Sequence, residues 1–206
     1  MTADAERVLS SKGRQTRQAI EQAARKLFAK RGFHGATLAD ITSAAGKSPA
    51  VFYRYFADKE DLLAALAESF LHEVVAPSGL SVRLPDSPED TEFFTSVVTG
   101  YWNMFKQNIG IMIAVAQLAA TQQRFAAVQN EFRRFGIDIV AASVRHAQQQ
   151  GYGRDLNPEH TAAAIALLFE NFTTVVAGPS SLGLTISDAE AVATLSTIWK
   201  KTLYGF

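Results

Sequence analysis

A chain of 206 residues that is 48% hydrophobic carries enough apolar material for one large core or two small ones, with no Pro- or Gly-rich tract long enough to be a flexible tether. The lack of cysteine excludes disulfides, thiolate catalysis and zinc–thiolate sites, and suits a reducing compartment. Net charge is zero, yet residues 1–59 hold eleven Lys and Arg against five Asp and Glu, whereas residues 60–206 hold nine against fifteen. The start, MTADAERVLSSKGRQTR, is polar without an apolar leader core, and no uninterrupted apolar stretch is long enough to span a bilayer, so a cytoplasmic protein outside any membrane is expected.

The first periodic segment places Ile20, Ala23, Ala24, Leu27 and Phe28 on one helical face, with Arg17, Arg25, Lys26, Lys30 and Arg31 around it and Gly32 ending it. Next comes TLADITSAAGKSPAVFYRYFADK, from Thr37 to Lys59. Thr37 with Asp40 fits a capping box, and Leu38, Ile41, Ala44 and Ala45 form the buried stripe of a two-turn helix. Gly46 permits the left-handed conformation that ends a helix abruptly, and Ser48-Pro49 restarts one with a capping hydroxyl and a proline in the first turn. The pattern is helix-turn-helix. Val51, Phe52 and Phe56 point inward, which leaves Lys47, Ser48, Ala50, Tyr53, Arg54 and Tyr55 outside. Exposed tyrosines suit a phosphate backbone, and with the basic charge excess they point to nucleic acid.

This stretch resembles the TetR family of transcriptional repressors. The likeness lies in Gly32-Phe33-His34-Gly35-Ala36-Thr37, in Ala45-Gly46-Lys47-Ser48, and in Phe52-Tyr53-Arg54-Tyr55-Phe56-Ala57-Asp58-Lys59. It covers roughly residues 16–63; the remainder resembles the family only in length and helix pattern. Lys47 stands where the family commonly has a hydrophobe and adds a charge beside the DNA face. The resemblance implies an all-α fold of about nine helices. A three-helix DNA-binding domain would occupy residues 1–59, and a larger effector-binding and dimerisation domain residues 60–206. It assigns Thr37, Tyr53, Tyr55 and Lys59 to phosphates of a double-stranded operator, and places Lys47, Ser48, Pro49, Ala50 and Arg54 near base edges.

Asp58 with Asp61 opens the next helix, which Leu62, Leu63, Leu66, Phe70 and Val74 carry to about Val75 before Pro77 and Gly79 stop it. Its first half faces the small N-terminal core and its second half the larger domain. Residues 76–90 read as a loop. Helical patterning resumes from about Thr91 through Tyr101, Trp102 and Phe105, continues in a short apolar helix at 109–120, and then in a long helix at 122–150. There Phe125, Val128, Phe132, Phe135, Ile139 and Val140 are expected inside, and Gly151 and Gly153 close it. Asn157-Pro158-Glu159 caps a helix that Gly178-Pro179 ends, and Ser187 with Glu190 caps the last, which runs to about Leu203.

The helix from Pro158 to Ala177 is apolar nearly all round, so it needs cover on two sides. With the final helix it suits a four-helix bundle in a homodimer, with Ile165, Leu168, Phe172, Leu195 and Trp199 at the interface. The alternative is that both helices lie inside a monomeric core. An apolar or amphipathic effector is expected among the aromatic helices, where Tyr101, Trp102, Phe105, Met112, Gln117, Phe132, Glu170, Asn171 and Thr174 combine apolar walls with a few polar groups. The single-residue alternative is ordinary core packing, and control by a protein partner stays open. No HExxH, GxSxG, P-loop or GxGxxG is present, and His34, His72, His146 and His160 have no metal spacing. Neither catalysis, a metal nor a cofactor is expected.

Overall fold

The computed structural model of the protein describes residues 10–75, 83–85, 87–178 and 183–205, with the backbone alone for Val75. The expected breaks at Pro77, Gly79 and Pro179 lie outside the described residues. Among those described, all regular structure is helical, in nine elements: α1 (Ser11–Gly35), α2 (Leu38–Ala44), α3 (Pro49–Phe52), α4 (Lys59–Val75), α5 (Thr91–Gln107), α6 (Ile109–Ala119), α7 (Gln123–Gln149), α8 (Pro158–Ala177) and α9 (Asp188–Tyr204). The chain divides into two compact units, Met1–Phe70 with Gly110–Ala126, and Leu71–Ile109 with Ala127–Phe206.

In the first unit, Ile20, Ala24 and Phe28 of α1 are buried together with Phe33, Ile41, Phe52, Phe56, Leu62, Leu63 and Leu66. Phe28 and Phe33 meet edge-on with ring centroids 5.3 Å apart. The first run of α1 ends at Gly32 as expected, where φ 70° and ψ 169° are non-helical and only glycine adopts that φ cheaply, and a further short turn carries the element to Gly35. In α2 the stripe is rotated from the expected one, for Thr42 is buried and Ala44 exposed. Thr42 tolerates this because its hydroxyl donates to Ala39 O at 3.2 Å. Segment 110–126 belongs to the same unit. A Cβ on Gly110 would lie 2.4 Å from Ala29 N and 2.5 Å from Phe28 C, so α6 rests on the backbone of α1 at this point. Glu60 Oε2 accepts from Gln122 Nε2 and Arg124 Nη2, both at 3.0 Å, tying the start of α4 to the start of α7.

The second unit is built on α5 packed along α9, with α8 and most of α7 completing the core. Trp199 is its hub. Its ring sits 5.6 Å from Phe93, 5.2 Å from Phe94 and 6.2 Å from Phe169. Its indole N–H donates to Ser143 Oγ at 3.2 Å, and that hydroxyl donates to Val140 O at 2.7 Å, so the most buried polar chain in the core is closed. On α7, Val140 is buried in this unit and Phe125 in the first, both as expected, but Val128, Phe132, Phe135 and Ile139 are only half-buried.

Two glycines give opposite expectations. Gly110→Ala gains about 1 kcal/mol of helix propensity but drives a methyl into backbone that has no rotamer to yield, costing about 1–3 kcal/mol more than that gain. Gly100→Ala, on α5 with nothing within 4 Å of the new methyl, should keep its gain of roughly 0.5–1 kcal/mol. Thermal unfolding should move the midpoint down for the first and up for the second.

Candidate nucleic-acid interface and effector site

The turn between α2 and α3 is over-determined by short-range hydrogen bonds. Thr37 Oγ1 accepts from Asp40 N at 3.1 Å and donates to Asp40 Oδ2 at 2.7 Å, while Thr37 N donates to the same carboxylate at 3.0 Å. These bonds, first from the hydroxyl and then from the amide, hold the Asp40 carboxyl below its ordinary range, and Arg31 at 3.1 Å adds to the effect. Gly46 takes φ 63°, and Ser48 Oγ accepts from Val51 N at 3.4 Å with Pro49 in the first turn. Only Pro49–Phe52 is regular α-helix. The segment to Tyr55 then tightens into bonds three residues long, Arg54 N to Val51 O and Tyr55 N to Phe52 O.

This short element is pinned from beneath by Phe52 and Phe56, both buried, with ring centroids 5.6 Å apart. Outward it presents Ser48, Pro49, Ala50, Tyr53 and Arg54, all exposed; Tyr53 has 60% of its surface open, its ring meeting Phe52 edge-on at 5.6 Å between centroids. Lys47 and Tyr55 are half-buried at its margins. Two of the residues assigned to phosphates have other engagements. The Thr37 hydroxyl hydrogen points at Asp40. Lys59 turns inward: its ammonium donates to Phe33 O at 2.7 Å and Ala36 O at 2.9 Å and lies 4.3 Å from the centre of the Phe33 ring. Burial lowers its pKa from the usual lysine value. Lys59 thus closes the carbonyls at the end of α1, and one of its three N–H groups is left for another acceptor.

The residues proposed for an effector divide. Tyr101, Trp102 and Phe105 on α5, Phe132 on α7, and Glu170, Asn171 and Thr174 on α8 belong to the second unit, whereas Met112 and Gln117 belong to the first. Asn171 and Gln117 are exposed rather than directed into a core. Glu170 is consumed by a clamp: Arg133 Nε and Nη2 donate to its two oxygens at 2.7 and 2.8 Å, and Gln129 Nε2 at 3.1 Å. Hydrogen bonding to Glu170 raises the Arg133 pKa further. Thr174 donates to Glu170 O of its own helix at 2.7 Å. The polar atoms that stay open are others. Tyr101 Oη, Trp102 Nε1, Thr173 Oγ1 and Tyr204 Oη are buried without a hydrogen-bond partner among the described residues. Thr173 went unnoticed in the sequence, although its place one turn from Phe169 in an apolar helix was the available signal. Burial pushes the Tyr101 phenol above its ordinary range; the Thr173 hydroxyl is close enough to oppose this, yet the two lack hydrogen-bond geometry with each other.

Of the expected interface residues, Leu195 and Trp199 are 0% and 1% exposed and Ile165 is buried, so these three lie in the core of the single chain, away from its surface. Leu168 is 40% exposed, Leu167 beside it 46%, and Phe172 is half-buried. α8 is also long and apolar enough to cross a membrane by length and composition alone.

Residues 20–66 match the family described as bacterial regulatory proteins, tetR family. The HTH-type transcriptional repressor AcnR of Corynebacterium glutamicum is 39% identical over 80 residues, 37% of this chain and 43% of that protein, so the match spans less than half of AcnR. The HTH-type transcriptional regulator EthR of Mycobacterium tuberculosis is 28% identical over 192 residues, 91% of this chain and 86% of that one. The structure of the transcriptional regulator FadR from Bacillus subtilis in complex with stearoyl-CoA superposes with a TM-score of 0.64 at 18% identity, covering 92% of this chain and 98% of that one. The fold is shared along nearly the whole chain, while sequence likeness is strongest around the helix-turn-helix.

Lys59→Ala removes two hydrogen bonds from a charged donor and should destabilise the protein by about 2 kcal/mol, where Lys59→Arg retains part of that loss. Chemical denaturation of the two variants measures this; an unchanged midpoint for the alanine variant means the staple contributes nothing.

Proposed function

We propose that the chain is a member of the TetR family of bacterial regulatory proteins, whose model its residues 20–66 match, and that it is a homodimeric DNA-binding transcriptional repressor that leaves a pseudo-palindromic operator when a small apolar effector binds. The observation that carries the reading is the exposed surface Ser48–Arg54, capped at Ser48 and held from below by Phe52 and Phe56. Residues 1–59 serve as the DNA reader and residues 60–206 as the effector-binding and dimerising part. Tyr53 and Tyr55 bind phosphate, and Lys59 adds its third N–H. Lys47, Ser48, Pro49, Ala50 and Arg54 face base edges in the major groove. Two readers in a dimer meet half-sites one helical turn or a small multiple apart. The effector favours a state in which α4 is displaced. That FadR was solved with stearoyl-CoA supports a ligand-binding role for this fold, and the aromatic α5–α8 region supplies apolar walls.

The dimer interface is assigned to the open face of α8, centred on Leu167 and Leu168, which also accounts for a nearly all-apolar helix without placing it in a membrane. Footprinting and anisotropy on the DNA upstream of the gene test the regulator as a whole; protection of two related half-sites is expected. Binding unaffected by any small molecule, but changed by a protein from the same cell, would favour the partner-controlled alternative.

Two sets of variants follow. Arg54→Ala should lose about 1–3 kcal/mol at one base position if its contact is bidentate, with little change on scrambled DNA. Leu168→Glu should leave the fold intact, since the side chain is already on the surface of a single chain, but shift the protein to monomer in sedimentation. Leu195→Glu should unfold it, because a carboxylate placed in the core has no partner. A dimeric Leu168→Glu protein moves the interface elsewhere.

A further inference from the structure

We propose that Tyr101 and Thr173 form the polar end of the effector site, and that its ligand is an uncharged, largely apolar molecule presenting one carbonyl oxygen to both hydroxyls. This rests on the effector reading above and specifies the chemistry of that site. The Tyr101 ring lies 5.8 Å from Phe105 and 5.7 Å from Phe169 by centroids, so it spans from α5 to the face of α8 that carries Phe169. Thr173 stands one turn beyond Phe169 on that same face and is fully buried. Both hydroxyl oxygens are buried, and neither has a hydrogen-bond partner among the described residues. Native interiors retain few such groups, because a buried hydroxyl without a partner keeps the desolvation penalty and gains nothing in return. The neighbouring hydroxyl is different: Thr174 is satisfied by its own helix.

The chemistry that answers two open O–H groups is an acceptor with two lone pairs, which a ketone, ester or amide oxygen supplies. Charge is excluded by the surroundings. The carboxylate next along α8, Glu170, has both oxygens engaged by Arg133 and one also by Gln129, so neither the acid nor the base is free to balance an ion. Phe105, Phe169 and the half-buried Phe172, whose ring is 6.5 Å from Trp102, are the apolar groups that would face the body of the molecule once it parts them.

The test uses the full chain, with heptyl methyl ketone and acetophenone as probes against nonanoate and nonylamine, and titration calorimetry on the wild type, Tyr101→Phe and Thr173→Val. At least one ketone should bind at least tenfold more tightly than either charged probe, and each variant should weaken that ketone roughly five- to tenfold. Without ligand, both variants should hold or raise the thermal midpoint, since each removes an unpaired hydroxyl; a merely structural role would lower it. Ketones that fail to bind, a preference for the acid or the amine, or affinity unchanged in both variants overturns the proposal. Operator affinity is followed separately by anisotropy. Ketone binding that tracks the variants without releasing DNA upholds this site and removes the effector reading. Release by another compound, equal in wild type and variants, does the reverse.

Discussion

A four-residue helix cannot hold itself together in water, because the cost of fixing its first turn is recovered only by propagation it never reaches. α3 nevertheless is the element on which a DNA-reading surface depends, so its stability has to come from outside its own backbone. Two sources supply it. Ser48 and Pro49 settle the entry, by accepting one orphan N–H and by removing another, and Phe52 and Phe56 fasten the exit to the core of the first unit. α2 is only seven residues long and survives on the same terms, with a reciprocal Thr37–Asp40 cap at one end and buried Ile41 and Thr42 beneath it. Ser48 and Pro49 are exposed yet hold the entry, so the outward residues free of structural duty are Ala50 and Arg54, which can vary without unfolding this element.

Lys59 shows how a residue expected to meet one partner can already be engaged by others within the chain. A lysine after a basic, tyrosine-bearing segment suggests a phosphate contact on charge grounds. Two carbonyls at the end of α1, left without intrahelical donors, are nearer acceptors and do not have to be brought from solution. The kink at Gly32 makes this necessary, since the helix that resumes after it must end again within a few residues. Sequence periodicity records neither fact.

Helix ends in this chain were legible because caps are local. Asn157-Pro158, Ser187 with Glu190 and Thr37 with Asp40 sit within three residues of the atoms they satisfy, and all three appear where the spacing predicts. Burial was less legible because it is decided by distant elements. Leu195 and Trp199 carry the same apolar signal as Leu168, yet α5 and its neighbours cover the first two and leave the third exposed. A single cut between domains also misses that residues 110–126 pack with the N-terminal segment: the contact that draws them there is made by Gly110, whose only distinction is the side chain it lacks. Glu170 and Asn171 looked like polar anchors inside an apolar helix, but Arg133, 37 positions away in sequence, claims the first, and the second faces solvent.

The polar groups of the second unit therefore fall into two kinds with different consequences. Ser143, Trp199, Glu170, Arg133 and Thr174 are joined into closed arrangements, and closed arrangements rigidify a core without inviting a ligand. Tyr101 and Thr173 stay open at the meeting of α5 and α8, amid aromatic rings that need no hydrogen bonds at all. A ligand that reached them would gain from satisfying what folding left unpaired, so its binding energy would be largest in whichever conformation keeps the two hydroxyls together. By linkage, that is the only property a ligand needs in order to shift the protein between two states: tight binding to both would change nothing, and preference for one moves the equilibrium by the ratio of its affinities.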